Sequence, residues 1–457
     1  MTTEALAQLI GDGYEVPCVD GTSRPYLSLD TGASTAAMAA VADKVAEFLP
    51  LYSSVHRGAG FKSQHSTVAY EQAREAAITF ANRDGRDDVA IFVRNTTEAV
   101  NHLAYRLRFG RDDVVLTTEV EHHANLLPWR RQATCRYVGV GRTGTFTVDD
   151  VQRALTEGAR PKLLAITGAS NVTGWLPPLD DIIAVAHEHG VPVFVDAAQL
   201  APHRPMPREA DFIAWSGHKM YAPYGAGVLI GPREAFVDGD PFLAGGGAVD
   251  LVDLDEVVWT DPPDREEAGS PNVIGAIALH GAIDAMTAIG WPAIVEHEEA
   301  LARRLRRAVA SIDGVHLLGP ALDVATLSVA TFVIDDMPHA LVAARLSAEF
   351  GIGVRHGCFC AHPYLLKLLD LSSEEVHAYR AHVLAGDRRR IPGAVRASAG
   401  LATSGDDIDR FVDALTALVT TKPPVAYEQD PTTGDFFPDH PAWADMNRAV
   451  GASCARG

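Results

Sequence analysis

The stretch Val191–Gly231, VPVFVDAAQLAPHRPMPREADFIAWSGHKMYAPYGAGVLIG, decides the fold. It reads as strand, loop, strand, loop, strand. Val191–Val195 is a short β-branched run that stops at Asp196, and Asp211–Trp215 is a second that stops at Ser216-Gly217-His218-Lys219. Each run therefore sets an ionisable residue at the carboxyl end of a strand, the edge of an open α/β sheet where loops diverge and leave a crevice for ligands. A lysine whose pKa is lowered there by partial burial has a free amine lone pair and can form a Schiff base. A buried aspartate beside it keeps a pyridine nitrogen protonated and makes the ring an electron sink. Asp196 and Lys219 thus meet the two demands of pyridoxal phosphate. Ser216 and His218 add donors for a phosphate, and Gly225 and Gly227 let main chain pass close by. A salt-bridged buried aspartate and a surface lysine would fill the same two positions.

Upstream, Leu163–Thr167 is another apolar run, followed by Gly168–Gly174, where Asn171 offers an amide at the same edge. Val114–Thr117 leads into Glu119–Asn125, whose His122 is placed either to lie flat on a heteroaromatic ring or to cap a solvated loop. Val89–Val93 precedes Arg94-Asn95-Thr96-Thr97-Glu98, at the start of a predicted helix Ala99–Leu107. Free N–H groups and the helix dipole attract phosphate to such threonines, and an ordinary N-cap shows the same pattern. Four successive strands ending in Glu121-His122, Asn171, Asp196 and Lys219, with helices between, predict an α/β fold with a doubly wound, mostly parallel sheet.

Farther out, Glu4–Ile10, Ala36–Phe48 and Thr67–Phe80 read as helices and Tyr26–Asp30 as a brief strand. Ser53–Ser66, which holds Arg57 and Lys62, reads as a polar loop that lines a pocket or is solvated. On the other side, Pro271–Ala288 is a helix closing the large unit. Helices Glu296–Ser311, Ala340–Phe350 and Asp406–Val419, with a β-rich run Ala325–Ile334, make a smaller α+β unit. The expected division is a large domain over 30–290, a small domain from 1–29 plus 291–421, and a C-terminal extension over 422–457. That extension is rich in Pro and Asp and is expected either to wrap a partner subunit or to be disordered.

The chain has 457 residues, and its 59 acidic against 39 basic residues give a net charge of −20. That balance argues against nucleic acid or an anionic membrane as partner and points to a small-molecule substrate. Cys18, Cys135, Cys358, Cys360 and Cys454 are too sparse, and odd in number, for a disulfide framework, which implies free thiols in a reducing cytoplasm. The start MTTEALAQLIGDGYE lacks a secretory pattern, and no uninterrupted apolar stretch approaches about 18 residues. A soluble cytoplasmic protein is expected.

With these pieces in order, the chain resembles the class V aminotransferase family of fold-type I pyridoxal-phosphate enzymes, and within it the cysteine desulfurase and selenocysteine lyase group. The matching segments are TTEAVN (Thr96–Asn101), EVEHHANLLPW (Glu119–Trp129), SNVTG (Ser170–Gly174), VDAAQ (Val195–Gln199), SGHKMYAPYGAGVLIG (Ser216–Gly231), EAGSPN (Glu267–Asn272) and VRAS (Val395–Ser398). The resemblance implies a homodimer acting on an amino acid. It implies Lys219 as the Schiff-base lysine, Asp196 at the pyridinium, His122 stacked on the ring, and Asn171 and Gln199 beside its phenolic oxygen. Thr96, Thr97, Ser216 and His218 would hold the phosphate, with Ser270 reaching in from a second subunit. Arg396, together with Asn171 and Arg57, would meet the substrate, since a planar guanidinium suits a carboxylate. Read without the resemblance, Arg396 is a surface arginine.

The reaction is chosen by Gly351–Leu366, GIGVRHGCFCAHPYLL. Desulfurases of the related group carry a mobile cysteine at the position of Cys360, in a pattern similar to R-x-G-H-H-C-A-x-P. Here the cysteine, alanine and proline are kept, and Cys358 and Phe359 replace the two histidines. The GCFC tetrad, residues 357–360, is similar to the sulfurase domain of molybdenum cofactor sulfurases. The implied reaction removes sulfur from L-cysteine, or a related sulfur amino acid, through a persulfide on Cys360, releasing alanine and passing sulfur to an acceptor thiol or protein. A cysteine beside His and Arg in a glycine-flanked loop is able to reach a lowered pKa and to move. Four alternatives stay open. Cys358-x-Cys360 reads as half a metal site, although no second CxC or CxxC supplies further ligands. The pair also reads as redox-sensing or structural. A pyridoxal-phosphate-dependent C–S β-lyase, epimerase or aminotransferase on a specialised amino acid would need no persulfide. A silent scaffold would keep the fold alone, against which the joint presence of Asp196 and Lys219 speaks.

Overall fold

The computed structural model describes residues 3–56 and 58–444. Seven strands build the central sheet: β1 (Asp88–Val93), β2 (Val114–Thr118), β3 (Thr134–Val138), β4 (Leu163–Thr167), β5 (Val193–Asp196), β6 (Phe212–Ser216) and β7 (Gly227–Pro232), in spatial order β1-β7-β6-β5-β4-β2-β3. β7 alone runs against its two neighbours, and the rest pair in parallel. Every residue of β4, β5 and β6 is buried. That is why these segments read as unbroken apolar runs: a parallel strand is covered on both faces. Val193 and Val195 enter one core with Ile166, Ile213 and Trp215, while Phe194 between them enters the other with Ala165, Phe212 and Ala214. Each large side chain buried in this way contributes about 1.5–3 kcal/mol.

The longer helices of this part are α1 (Ala39–Phe48), α2 (Phe61–Phe80), α3 (Thr96–Arg106), α4 (Val148–Thr156), α5 (Leu179–Glu188) and α6 (Val273–Ile289), with α1 and α2 packed on α6. A second, antiparallel sheet follows, in the order β8 (Val315–Leu318), β9 (Val329–Ile334), β11 (Ala394–Ser398), β10 (Arg355–Gly357). Against it pack α7 (Trp291–Ala310), α8 (His339–Phe350) and α11 (Gly405–Thr420), while α9 (His362–Leu368) turns its buried face to the core of the central sheet and α10 (Ser373–Leu384) follows it. Leu301, Leu305, Phe332, Leu346, Phe411 and Leu415 form the core of the second sheet, joined by Leu27 and Leu29 from the N-terminal segment. Among the described residues, no single helix is long and apolar enough to cross a membrane.

Four expectations are corrected. Glu4–Ile10 is not helical; the Leu6 and Ala7 N–H groups both donate to Leu401 O, at 2.7 and 3.2 Å. So short a segment gains more from a tertiary acceptor than from nucleating a helix. The polar loop Ser53–Ser66 ends early, because α2 starts at Phe61. Ser63 and Ser66 face protein rather than water: Ser63 Oγ donates to Ser54 O at 2.7 Å, and Ser66 Oγ accepts from Ser53 N–H at 2.9 Å. The helix α10 was not expected; it is capped by Ser372 and Glu375 but buries no residue, so it has no apolar stripe to betray it. The extension, finally, is ordered over the part that the structure describes, residues 422–444. Its strands β12 (Tyr427–Gln429) and β13 (Phe436–Pro438) form a hairpin against α8, where Tyr427 Oη donates to Glu349 Oε1 at 3.1 Å.

A buried carboxylate joins the two sheets. Glu298 on α7 is fully buried; its Oε1 lies 2.8 Å from His203 Nδ1, in the loop after β5, and its Oε2 accepts from Ser328 Oγ at 2.7 Å, beside β9. Burial pushes the carboxyl up, but His203 and the two hydrogen bonds outweigh it and hold the pKa below the usual range. Glu298→Ala should therefore lower stability by roughly 3–5 kcal/mol, since it leaves its partners buried and unpaired. The contribution of Glu298 is complete above its unfolded pKa and is lost as pH falls through the lower folded value. Chemical denaturation of the variant at neutral and acidic pH tests this, and wild-type stability at neutral pH would contradict it.

Candidate active site

The carboxyl ends of β1, β2, β4, β5 and β6 open on one cavity of about 860 Å3, lined from the central sheet by Thr97, His122, Asn171, Asp196 and Lys219 and from the second sheet by Cys358, Cys360 and Arg396. Asp196 ends β5 and is 4 % exposed. Its Oδ1 accepts from Ala198 N–H at 3.0 Å, and Oδ2 has no hydrogen bond among the described residues. Burial raises its pKa, opposed by that N–H and by the charge of Lys219. Lys219 follows β6 in a short 3-10 turn, Gly217–Lys219. Burial lowers its pKa to about 8, against the pull of Asp196 and with the help of Arg396. Its Nζ makes no hydrogen bond among the described residues.

At the other end of the cavity, Thr96 opens α3; its N–H donates to Ser216 Oγ at 2.8 Å, and the two hydroxyls share a hydrogen bond of 2.7 Å. Asn95 caps the helix by accepting from Glu98 N–H at 3.0 Å. Thr97 is left exposed in the cavity wall, its hydroxyl free of protein partners among the described residues. His218 stands opposite, its imidazole pKa lowered by burial and by Lys219. Gly227 makes this closeness possible, because a Cβ there would sit 2.8 Å from Trp215 O and 2.9 Å from Asn95 Cα.

His122 accepts from Ala124 N–H at Nδ1, 3.0 Å away, so its ring proton is assigned to Nε2. Burial first, then Lys219, lowers its pKa to about 3, and the ring is neutral. Behind it, the fully buried Glu121 accepts from Thr118 Oγ1 at 2.7 Å, Asn125 Nδ2 at 2.7 Å and Thr167 N–H at 3.0 Å. Burial raises Glu121 to about 8 despite these donors. This network stitches the ends of β2 and β4 together beneath the imidazole.

Arg396, on β11, is 2 % exposed and donates to Asn171 O at 2.7 Å and Asp30 Oδ1 at 3.0 Å, over the Phe359 ring. Its buried Nε has no partner among the described residues. Asn171 Nδ2 donates to Phe359 O at 2.7 Å, and Gln199 Nε2 to Gly32 O at 2.6 Å. Phe359 and Cys360 both have φ of +52°, a left-handed pair of a kind that clusters at functional sites. His123 N–H holds the turn through Cys360 O at 2.7 Å. The histidine near the cysteines serves Cys358: His362 Nε2 lies 2.9 Å from Cys358 Sγ, and His362 stacks on His123 with ring centroids 5.0 Å apart.

Ser270 was expected from a second subunit, and it is exposed, outside the cavity walls of this chain. Arg57 lies outside the described residues. Conversely, Asp30, His123 and His362 were not singled out, and neither was a rim made by Arg388, Arg389, Arg390 and the tail hairpin. None of these carries a periodicity; only the run of three arginines was visible as a signal.

The open donors fit pyridoxal phosphate: an unbonded amine, a buried carboxylate with one free oxygen, a neutral imidazole, and a hydroxyl at a helix start beside Ser216 and His218. Fold and donor set define a fold-type I pyridoxal-phosphate enzyme. The chain belongs to the class V aminotransferase family, whose model matches residues 27–411. It is 35% identical to a probable cysteine desulfurase of Halalkalibacterium halodurans over 361 residues, 76% of this chain and 87% of that one. It is 35% identical to a cysteine desulfurase of Dickeya dadantii over 405 residues, 86% of this chain and 92% of that one. Among solved structures, the apo cysteine desulfurase of Thermococcus onnurineus superposes with a TM-score of 0.77 at 30% identity, covering 86% of this chain and 94% of that one.

Only the neutral amine attacks an aldehyde. The rate at which the apoprotein gains visible absorbance with pyridoxal phosphate should therefore rise with pH and level off above about 8, the pKa of Lys219. Lys219→Ala should remove the absorbance. A rate still climbing through the ordinary lysine value, about 10.4, would contradict the lowered pKa.

Proposed function

We propose that this chain is a cysteine desulfurase that takes sulfur from L-cysteine onto Cys360 and releases alanine. The observation that carries the reading is that Cys360, on its left-handed turn, lines the same cavity as Lys219 and Arg396. The names of the relatives over most of the chain support it. In this reading Lys219 would join the cofactor, Asp196 would meet its ring nitrogen, His122 would support the ring, and Thr97, Ser216 and His218 would hold its phosphate. Thr96 positions Ser216, and Asn171 and Gln199 border the ring. When bound, pyridoxal phosphate supplies an electron-withdrawing ring that stabilises negative charge at the Cα of an amino acid.

The protein's own groups do the rest. Arg396 orients the substrate carboxylate, toward which its unpartnered Nε is the open donor. The Lys219 amine, with a pKa of about 8, is able both to take and to return a proton at Cα near neutral pH. Cys360 Sγ attacks the substrate sulfur; an S–S bond forms, the C–S bond breaks, and Cys360 keeps the sulfur as a persulfide while alanine leaves. The finer parts of the reading go with it: a homodimer to which Ser270 contributes, an acceptor for the sulfur, a cytoplasmic location, a role for Arg57 at the substrate, and the division into domains 30–290, 1–29 plus 291–421, and an extension from 422.

The test is product analysis on the holoenzyme with cysteine and dithiothreitol. Wild type should give alanine and sulfide, and Cys360→Ala should lose roughly a hundredfold or more in rate with its visible spectrum intact. Equal turnover in both, or pyruvate and ammonia in place of alanine, would replace this reading with a lyase.

A further inference from the structure

The cavity does not end at Cys360. Its outer wall consists of Arg388, Arg389 and Arg390, in the turn before β11, together with Gln429 and residues 433–435 of the tail hairpin. The wall is tied together: Arg388 N–H donates to Pro431 O at 2.8 Å, and Gln429 Nε2 donates to Arg389 O at 3.0 Å. It is also tied to the strand that leads into the cysteine turn, since His356 of β10 lies 3.4 Å from Asp435 Oδ1 and stacks on His339. The family match stops at residue 411, before this hairpin.

The charge of the wall sets its ligand. A chain of net charge −20 lines this one cavity with six lysines and arginines and only two acids, Asp196 and Asp435. Lys219 and Arg396 have work at the floor. Arg389 pairs with Asp387 at 2.8 Å, and Arg355 lies 3.9 Å from Asp30. The guanidinium groups of Arg388 and Arg390 have no hydrogen-bond or ion-pair partner among the described residues.

We propose that this outer chamber binds the sulfur acceptor, a small thiol bearing carboxylates, with Arg388 and Arg390 on its anionic groups. The proposal rests on the desulfurase reading. Cysteine has one carboxylate, which Arg396 matches, so the outer cations answer to the molecule that comes next. The acceptor sulfur attacks the terminal sulfur of the Cys360 persulfide. A new S–S bond forms to the acceptor, the bond to Cys360 breaks, and the acceptor's proton ends on Cys360. The acceptor leaves as a persulfide, and the exchange needs no external oxidant or reductant.

The experiment compares mercaptosuccinate with dithiothreitol, a neutral thiol, as acceptor for the holoenzyme turning over L-cysteine. The KM for mercaptosuccinate should be lower by about tenfold at low salt and should rise with ionic strength, as for exposed charges. In Arg388→Gln/Arg390→Gln and in each single variant that advantage should be lost or weakened, while Arg111→Gln, which removes one positive charge from an exposed loop as each single variant does, should keep it. Succinate, which has the charges without the thiol, should bind wild type by calorimetry and lose roughly tenfold in affinity with the double variant. Equal KM values for the two thiols in wild type, or a double variant that behaves as wild type, would overturn the proposal. So would an effect of the variants confined to an acidic substrate such as S-sulfocysteine, which would assign the arginines to the substrate. No alanine with either thiol would sink the desulfurase reading itself, while succinate binding would still report whether the arginines hold an anion.

Discussion

One buried guanidinium holds the two sheets in register over the cavity. Arg396 starts on β11 of the smaller sheet, reaches Asn171 O in the loop after β4 of the larger one, pairs with Asp30 of the N-terminal segment, and lies over Phe359 in the cysteine turn. Burying so strong a cation is costly, and burial does pull its pKa down; Asp30 and the main-chain acceptor offset that cost only in this one arrangement. Small displacements of either sheet would break charge-assisted bonds in a dry site, so the geometry is narrow. The cysteine turn is anchored from the other side as well. Tyr364 on α9 is fully buried against the core of the central sheet and donates to Gly144 O at 2.8 Å.

Burial also sorts the protonation states that the chemistry uses. Along one sheet edge it raises Asp196 and Glu121, lowers Lys219 to about 8, and lowers His122 to about 3. Each charged form is penalised by the same low dielectric, and local donors decide how far each group moves. An amine poised near neutrality beside a neutral imidazole is what proton transfer at Cα requires, and divergent pKa values of this kind are a mark of acid–base sites.

The strands of the central sheet that are covered on both faces were legible, because they carry uninterrupted apolar runs that give way to polar residues, among them Thr97, His122, Asn171, Asp196 and Lys219; the half-exposed edge strand β3 carries no such run and was missed. Those stops were legible too, since polar residues at the carboxyl edge of a parallel sheet have few structural reasons to recur. What escaped was set by tertiary contact. Leu6 and Ala7 follow Leu401 rather than their own propensity. Ser63 and Ser66 are polar yet face inward, which disguised the first turns of α2. α10 buries nothing, and the tail hairpin is held by contacts to distant residues such as Glu349. The pairing of His362 with Cys358, across a reversal of the chain, follows from two left-handed residues that no propensity predicts.

The central claim is that a persulfide forms on Cys360 in the cavity that holds Lys219. The most direct measurement is mass spectrometry of the holoenzyme after brief exposure to L-cysteine without reductant, followed by alkylation and peptide mapping. The account predicts one added sulfur atom on the peptide containing Cys360, equal in amount to the alanine formed in the first turnover, and none in Lys219→Ala. Sulfur located on Cys18 or Cys135, or alanine released with no sulfur on the Cys360 peptide, would contradict it.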